Sequence, residues 1–251
     1  MSSNHDLWGM NLIIDVGNTA TKLAVFQNQK LLFDEPIDHE KLIEKVKDVF
    51  SLYPNIRRAL VSPVGEFDAQ ELAALTIFCQ TQVLDHTTKT PFKNSYATPQ
   101  TLGVDRIAVA AAAFYHNANA NTLVIDAGTC ITYDMVNDYG EYLGGAISPG
   151  VHMRYRAMHE HTFKLPLLEK ENPVDLIGNS TETSMHSGVV NGVCAEIDGV
   201  IEQYKLRFAD LTVILTGGDA QFLSKRLKNT IFADSKFLLR GLNYLLEYNK
   251  H

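Results

Sequence analysis

The sequence predicts an α/β protein built as two related halves, and three observations predict it. Short runs of Leu, Ile and Val alternate along the chain with segments whose apolar residues recur at helical spacing. The stretch LIIDVGNTATKLAVF from Leu12 returns as LVIDAGTCITYDMV from Leu123, which pairs Asp15 with Asp126, Gly17 with Gly128 and Thr21 with Thr132. The repeat spans about half of the 251 residues, far more than a solenoid period, so it marks a duplicated domain and not a repeat array.

The elements follow in order. Leu12–Val16 is an apolar strand stopped by Gly17, and Lys22–Phe26 and Lys30–Asp34 continue as strands. From Asp38 to Leu52 the apolar residues Leu42, Ile43, Val46, Val49 and Phe50 fall on one helical face. Strand returns at Arg58–Ser62, helix at Asp68–Cys79 and strand at Gln82–Asp85. A polar irregular piece, 86–103, then leads to an alanine-rich helix from Asp105 to Tyr115. Its alanine run, 110–113, suits close helix packing. The second half restarts at Leu123 and continues with a strand at Glu141–Ile147, a turn at Ser148-Pro149-Gly150 and a helix through His159. A long helix is expected over Thr181–Phe208, a strand at Leu211–Leu215, and helices at Ala220–Leu227 and Asp234–Tyr248. The join falls near 116–121, which gives domains of 1–117 and 118–251. Residues 1–10 read as a frayed leader, with Trp8 the one residue expected to dock.

Composition excludes several functions. The net charge of -7 leaves no basic surplus for a nucleic-acid backbone or an anionic membrane. The longest apolar run, Ile107–Tyr115, is too short to span a bilayer. Cys79, Cys130 and Cys194 are odd in number and widely spaced, so neither a disulfide framework nor a cysteine zinc site is encoded. With no signal-peptide layout at the start, the expected setting is the reducing cytoplasm. His159-Glu160-His161 lacks the H-E-x-x-H spacing of a helical metal site.

The hairpin tips carry the chemistry. A strand ending in Asp-x-Gly projects a carboxylate, lets the backbone approach a ligand closely, and then presents N–H groups and hydroxyls to an anion. Asn18, Thr19 and Thr21 add donors, and Lys22 adds a fixed positive charge. Asp15 would repel a bare phosphate but not one carrying a divalent metal, so Asp15 with Lys22 points to a Mg-nucleotide. No Gly-Lys dipeptide and no G-x-G-x-x-G occurs, so the site is neither a Walker loop nor a dinucleotide fingerprint. Asp105, at a helix start where the dipole favours an anion, suits either a simple cap or a proton acceptor for an attacking alcohol.

Two Asp-x-Gly hairpins followed by Thr216-Gly217-Gly218-Asp219-Ala220 resemble the actin, hexokinase and Hsp70 ATPase group. Asp15-Val-Gly17-Asn18-Thr19-Ala-Thr-Lys22, Gly103-Val-Asp105-Arg106, Asp126-Ala-Gly128-Thr129, Ser148-Pro149-Gly150 and that last turn together resemble, in order, the motifs of type III pantothenate kinases. The resemblance implies two ribonuclease-H-like domains with mixed five-stranded sheets flanked by helices. It also implies ATP-dependent phosphorylation of pantothenate, the first step toward coenzyme A. Carried over residue by residue, Asp15, Gly17, Asn18, Thr19, Lys22 and Thr129 would bind ATP, with Asp15 meeting Mg²⁺ through the phosphates. Asp105 would be the general base. Tyr96, Gly103, Arg106 and Thr181 would bind pantothenate, with Thr183 the alternative to Thr181. Asp126 would hold a monovalent cation, K⁺ or NH₄⁺. The resemblance further implies a homodimer with a shared site. The competing readings are a kinase of another small alcohol and a regulatory nucleotide-binding protein of weak activity.

Overall fold

The computed structural model describes residues 9–18, 20–63 and 67–250, and the chain divides into two compact units. Trp8 and the rest of the expected leader up to it lie outside the described residues, as does Thr19.

The first unit begins with β1 (Met10–Val16), β2 (Thr21–Gln27) and β3 (Lys30–Ile37), an antiparallel run. Next come α1 (Leu42–Leu52), β4 (Ile56–Pro63), α2 (Ala69–Thr76) and β5 (Gln80–Val83). The sheet order is β3-β2-β1-β4-β5, with β4 parallel to both β1 and β5. Asp38 and Asp68 accept from the backbone N–H groups of Glu40 and Gln70, which stops the chain from extending and starts each helical segment. Leu12 and Ile14 of β1 share an apolar cluster with Leu42, Val46 and Val49 of α1. Asn11, just before Leu12, and Ile13 between the two point to the other face. The unit continues through β6 (Lys93–Asn94) to α3 (Val104–His116), whose residues 106–113 are all buried.

The second unit holds β7 (Thr122–Ala127), β8 (Cys130–Val136), β9 (Glu141–Pro149) and α4 (Val151–Glu160). After an irregular stretch come α5 (Thr181–His186) and α6 (Gly192–Lys205), joined by a π-helical turn at Ser187–Asn191. β10 (Thr212–Thr216), α7 (Ala220–Ser224) and β11 (Phe232–Ala233) complete it. Its strands run β9-β8-β7-β10-β11, with the same parallel and antiparallel pairings as β3-β2-β1-β4-β5. The protein is a duplicated ribonuclease-H-like fold.

Two expectations change here. Strand β9 runs on through Ser148 and Pro149, which lies opposite Cys130, so the expected turn is a strand end followed by Gly150 at the start of α4. The last helix, α8 (Phe237–Tyr248), belongs with the first unit and not with residues 118–236. Asn243 on α8 accepts a hydrogen bond from the buried Asn11 amide at 2.8 Å. Gly241 lets α8 lie directly on α3, because a Cβ there would fall 1.9 Å from the Ala108 carbonyl oxygen. The alanines of α3 therefore serve close helix packing, as their spacing suggests.

Gly241 is a test of that contact. Alanine has the better helix propensity by about 1 kcal/mol, but overpacking against backbone costs roughly 1–3 kcal/mol, so the clash dominates. Gly241→Ala is expected to lower the melting temperature by several degrees, at about 2–4 °C per kcal/mol for a chain of this size. An unchanged or raised melting temperature by circular dichroism would show the helices to be further apart.

Candidate active site

In the first unit the tip of β1 carries Asp15 directly across from Lys22 of β2. The turn between them closes with the Gly17 N–H donating to the Ala20 carbonyl at 3.1 Å, and Asn18 is exposed on it. Asp15 itself is buried, and its pKa is raised to about 6. Burial is the main cause; the Lys22 ammonium pulls the other way, and the Asp105 carboxylate pushes further up. The fold thus brings Asp15, Lys22 and Asp105 into one electrostatic cluster.

Thr21, next in line, is turned away from that cluster. Its buried hydroxyl lies 3.0 Å from His39 Nδ1, and His39 Nε2 lies 3.3 Å from Glu71 Oε2. Thr21 is therefore not one of the donors at the tip, because adjacent strand residues face opposite sides of the sheet.

Asp105 sits in the first turn of α3. The Gly103 carbonyl accepts the N–H groups of Arg106 at 3.1 Å and Ile107 at 3.2 Å, and Asp105 Oδ1 accepts from the same Arg106 N–H at 2.8 Å. The buried Arg106 guanidinium lies over the Tyr96 ring, 5.6 Å from its centroid. Tyr96 thus joins Gly103, Asp105 and Arg106 in one group of neighbours.

In the second unit Asp126, one residue before the end of β7, lies opposite Thr132, and Ala127 lies opposite Ile131. Thr132 consequently matches Lys22, and Ile131 matches Thr21, which corrects the pairing of Thr21 with Thr132. The reason is a shorter turn: residues 128–130 separate the last paired residues here, against 17–20 in the first hairpin. The glycine motifs converge around Asp126. The Asp219 N–H donates to the Ala127 carbonyl at 2.9 Å, and the Gly150 N–H donates to the Thr129 carbonyl at 3.1 Å. Gly217 takes φ +94°, and a Cβ on it would fall 2.4 Å from Asp126 Oδ1.

Thr181 is an exposed residue in the first turn of α5, on an open cleft of about 570 Å³ with Met158, Gly178 and Ser184. Thr183 is committed elsewhere: its hydroxyl accepts from the N–H groups of Asn179 and Ser180 and closes a capping box with Ser180. Two further contacts escaped the sequence reading. Lys170 pairs with Asp219 of the Gly-Gly turn, and Arg154 pairs with Glu196. Both join residues more than forty positions apart, which no local spacing announces.

The donor set fits a nucleotide-borne metal better than a protein-caged one. Among the described residues no group of three His, Cys, Asp or Glu side chains could hold an ion. Asp15 is instead a single buried carboxylate beside a second acid, and Mg²⁺ is commonly held by one or two carboxylates together with substrate phosphates.

A duplicated ribonuclease-H-like fold with an acidic hairpin tip in each unit is the architecture of the actin and hexokinase group. Residues 11–203 match the model of the type III pantothenate kinase family. A type III pantothenate kinase from Christiangramia forsetii is 48% identical over 241 residues, covering 96% of this chain and 99% of its own. The chain belongs to the type III pantothenate kinase family. Solved structures agree on the fold. A Baf-family protein from Campylobacter jejuni has a TM-score of 0.64 at 21% identity and covers 95% of this chain and 98% of its own. A glucokinase from an Antarctic psychrotroph has a TM-score of 0.54 at 13% identity, with 96% and 99% covered.

The raised pKa of Asp15 has a definite sign. A folded pKa of about 6 against 3.8 means that the native state holds this proton more tightly, a stabilisation complete below pH 3.8 and lost as pH rises through 6. Above that, the ionised carboxylate costs up to roughly 3 kcal/mol relative to a neutral isostere. Asp15→Asn is expected to raise the denaturation midpoint of the ligand-free protein at pH 8, with the gain shrinking toward pH 4.5. Equal midpoints at pH 8 would remove the burial penalty from the account.

Proposed function

We propose that this chain transfers the γ-phosphoryl group of ATP to the primary alcohol of pantothenate, forming ADP and 4'-phosphopantothenate. The observation that carries the reading is the cluster of Asp15, Lys22 and Asp105, with Arg106 and Tyr96 adjoining it, in a member of this family. Asp15, Gly17, Asn18, Thr19, Lys22 and Thr129 hold the nucleotide phosphates. Asp15, together with the nucleotide phosphates, would hold Mg²⁺, which would supply neutralisation of negative charge on the transferring group. A bound cation would offset the cost of ionising the buried Asp15.

Asp105 takes the proton of the pantothenate hydroxyl. The alcohol oxygen bonds to the γ-phosphorus as the bond to the β,γ-bridging oxygen breaks, and ADP departs with that electron pair. The Arg106 fork suits the pantothenate carboxylate, and Tyr96 lines the acceptor site beside it. Gly103 starts the helix that aims both Asp105 and Arg106. Asp126, under the Gly217 turn, would hold a monovalent cation, K⁺ or NH₄⁺. The reading includes a homodimer in which Thr181 contributes to a shared acceptor site, and a cytoplasmic setting. None of the described helices is long and apolar enough to cross a membrane.

With ATP, Mg²⁺, K⁺ and pantothenate, the protein is expected to form ADP in a coupled assay. ADP no faster than in the control without pantothenate would refute the acceptor. Asp105→Asn is expected to keep nucleotide binding and lose kcat by roughly a hundredfold or more, the usual scale of a general base. Wild-type turnover in that variant would take the base role from Asp105. Replacing K⁺ by Na⁺ is expected to slow the reaction, and equal rates would argue against an ion at Asp126.

A further inference from the structure

Gly150, which seals the end of β9 against Thr129, has an anchor of its own that the proposed chemistry does not use. Arg154, one turn into α4, donates its Nε–H to the Pro149 carbonyl at 2.9 Å. Its Nη2 donates to Ser148 Oγ at 2.9 Å and to Glu196 Oε2 on α6 at 2.5 Å. The other oxygen of Glu196 accepts from the Tyr133 hydroxyl of β8 at 3.0 Å. Burial alone would push Glu196 up, but the hydrogen bonds from Arg154, Ser148 and Tyr133 hold it below the usual glutamate range. A planar guanidinium bound at three points fixes the 148–149 backbone to α4 and α6 as no ammonium could.

The far side of that segment has no slack either. The Gly150 N–H holds the Thr129 carbonyl at 3.1 Å, and a Cβ on Gly150 would fall 2.2 Å from the Gly128 carbonyl oxygen. A shift of 148–150 must therefore move 128–129. We infer that Arg154, braced by Glu196 and Tyr133, is a positioning residue that sets the Gly128–Thr129 turn for the nucleotide. The inference rests on the reading that this turn contacts the nucleotide. A preorganised turn binds phosphate without first being ordered, so loosening it weakens nucleotide binding selectively.

Steady-state kinetics of Arg154→Lys and Arg154→Gln test this, with ATP and pantothenate varied separately. The expected result is an ATP KM raised about tenfold, the scale of one lost charge-assisted hydrogen bond, with the pantothenate KM changed by less than about twofold. The second readout is the rise in melting temperature on adding MgADP, expected to be smaller in both variants. It is available even where turnover is low, and the lysine variant keeps the charge and most of the stem should glutamine fold poorly. A lower melting temperature with both KM values and the MgADP shift unchanged would make the clamp purely structural and overturn the inference. Thr129→Ala separates the two levels. A raised ATP KM there with unchanged Arg154 variants sinks this inference alone. An unchanged ATP KM in Thr129→Ala sinks the underlying reading of the turn.

Discussion

The first unit depends on one constraint: an ionisable carboxylate held at the buried end of a central strand. Residues 11–15 of β1 are all buried, so hydrocarbon on both sides carries Asp15 to a place where its charge is poorly solvated. Lys22 relieves part of that cost only because the β1–β2 register sets it opposite. The register is secured by the apolar alternation itself. A slip by one residue would turn Leu12 and Ile14 away from the cluster they share with α1, as well as separating the ion pair. The core and the candidate site are thus locked by the same pairing. A site whose acid is raised to about 6 gives up stability in the ligand-free protein, a common compromise where a charged ligand completes the balance.

Duplication supplied two such tips, and they have diverged in kind. Strand order and direction agree between the units, yet the second turn is a residue shorter, and Thr132 stands where the first hairpin has Lys22. The Thr132 hydroxyl donates to Asp134 at 2.8 Å, and the buried Asp134 also accepts from Tyr142. The second tip has no lysine of its own and is enclosed by backbone from Ala127, Gly150 and Gly217. The first tip pairs an acid with a lysine, and the second sets Asp126 among close-packed peptide groups.

Most of this was legible because periodicity reports burial. The strands, the helices and the alanine face of α3 follow from spacing, and Gly103, Asp105, Arg106 and Tyr96 do fall together. What escaped has physical reasons. The two turns share Asp-x-Gly, and nothing local counts the residues before a return strand re-pairs, so the offset between Thr21 and Thr132 was missed. The long helix over 181–208 contains a π-helical turn at Ser187–Asn191, where one extra residue per turn leaves the apolar pattern nearly intact. The two-residue β11 is too short to show a period. Arg154 and Glu196 each read as an ordinary charged helical residue, and only the fold makes them partners.

The placement of α8 shows most clearly where pattern reading stops. An amphipathic stripe states that a helix must be covered, not by what. Phe237, Leu242, Leu245 and Leu246 would suit either unit, and chain continuity favours the second. The decisive features are a missing Cβ and an amide: Gly241 admits the Ala108 carbonyl, and Asn243 answers Asn11. The first unit is therefore discontinuous, with residues 117–236 inserted between α3 and α8. A fragment ending at His116 would leave Ala108, Ala112 and Asn11 without the helix that covers them. It would also leave the Asn11 amide, on the strand that presents Asp15, without its partners Asn243 and Glu247. The first unit's core is thus completed by α8, whose residues, Phe237–Tyr248, are as much a part of it as the opening strand.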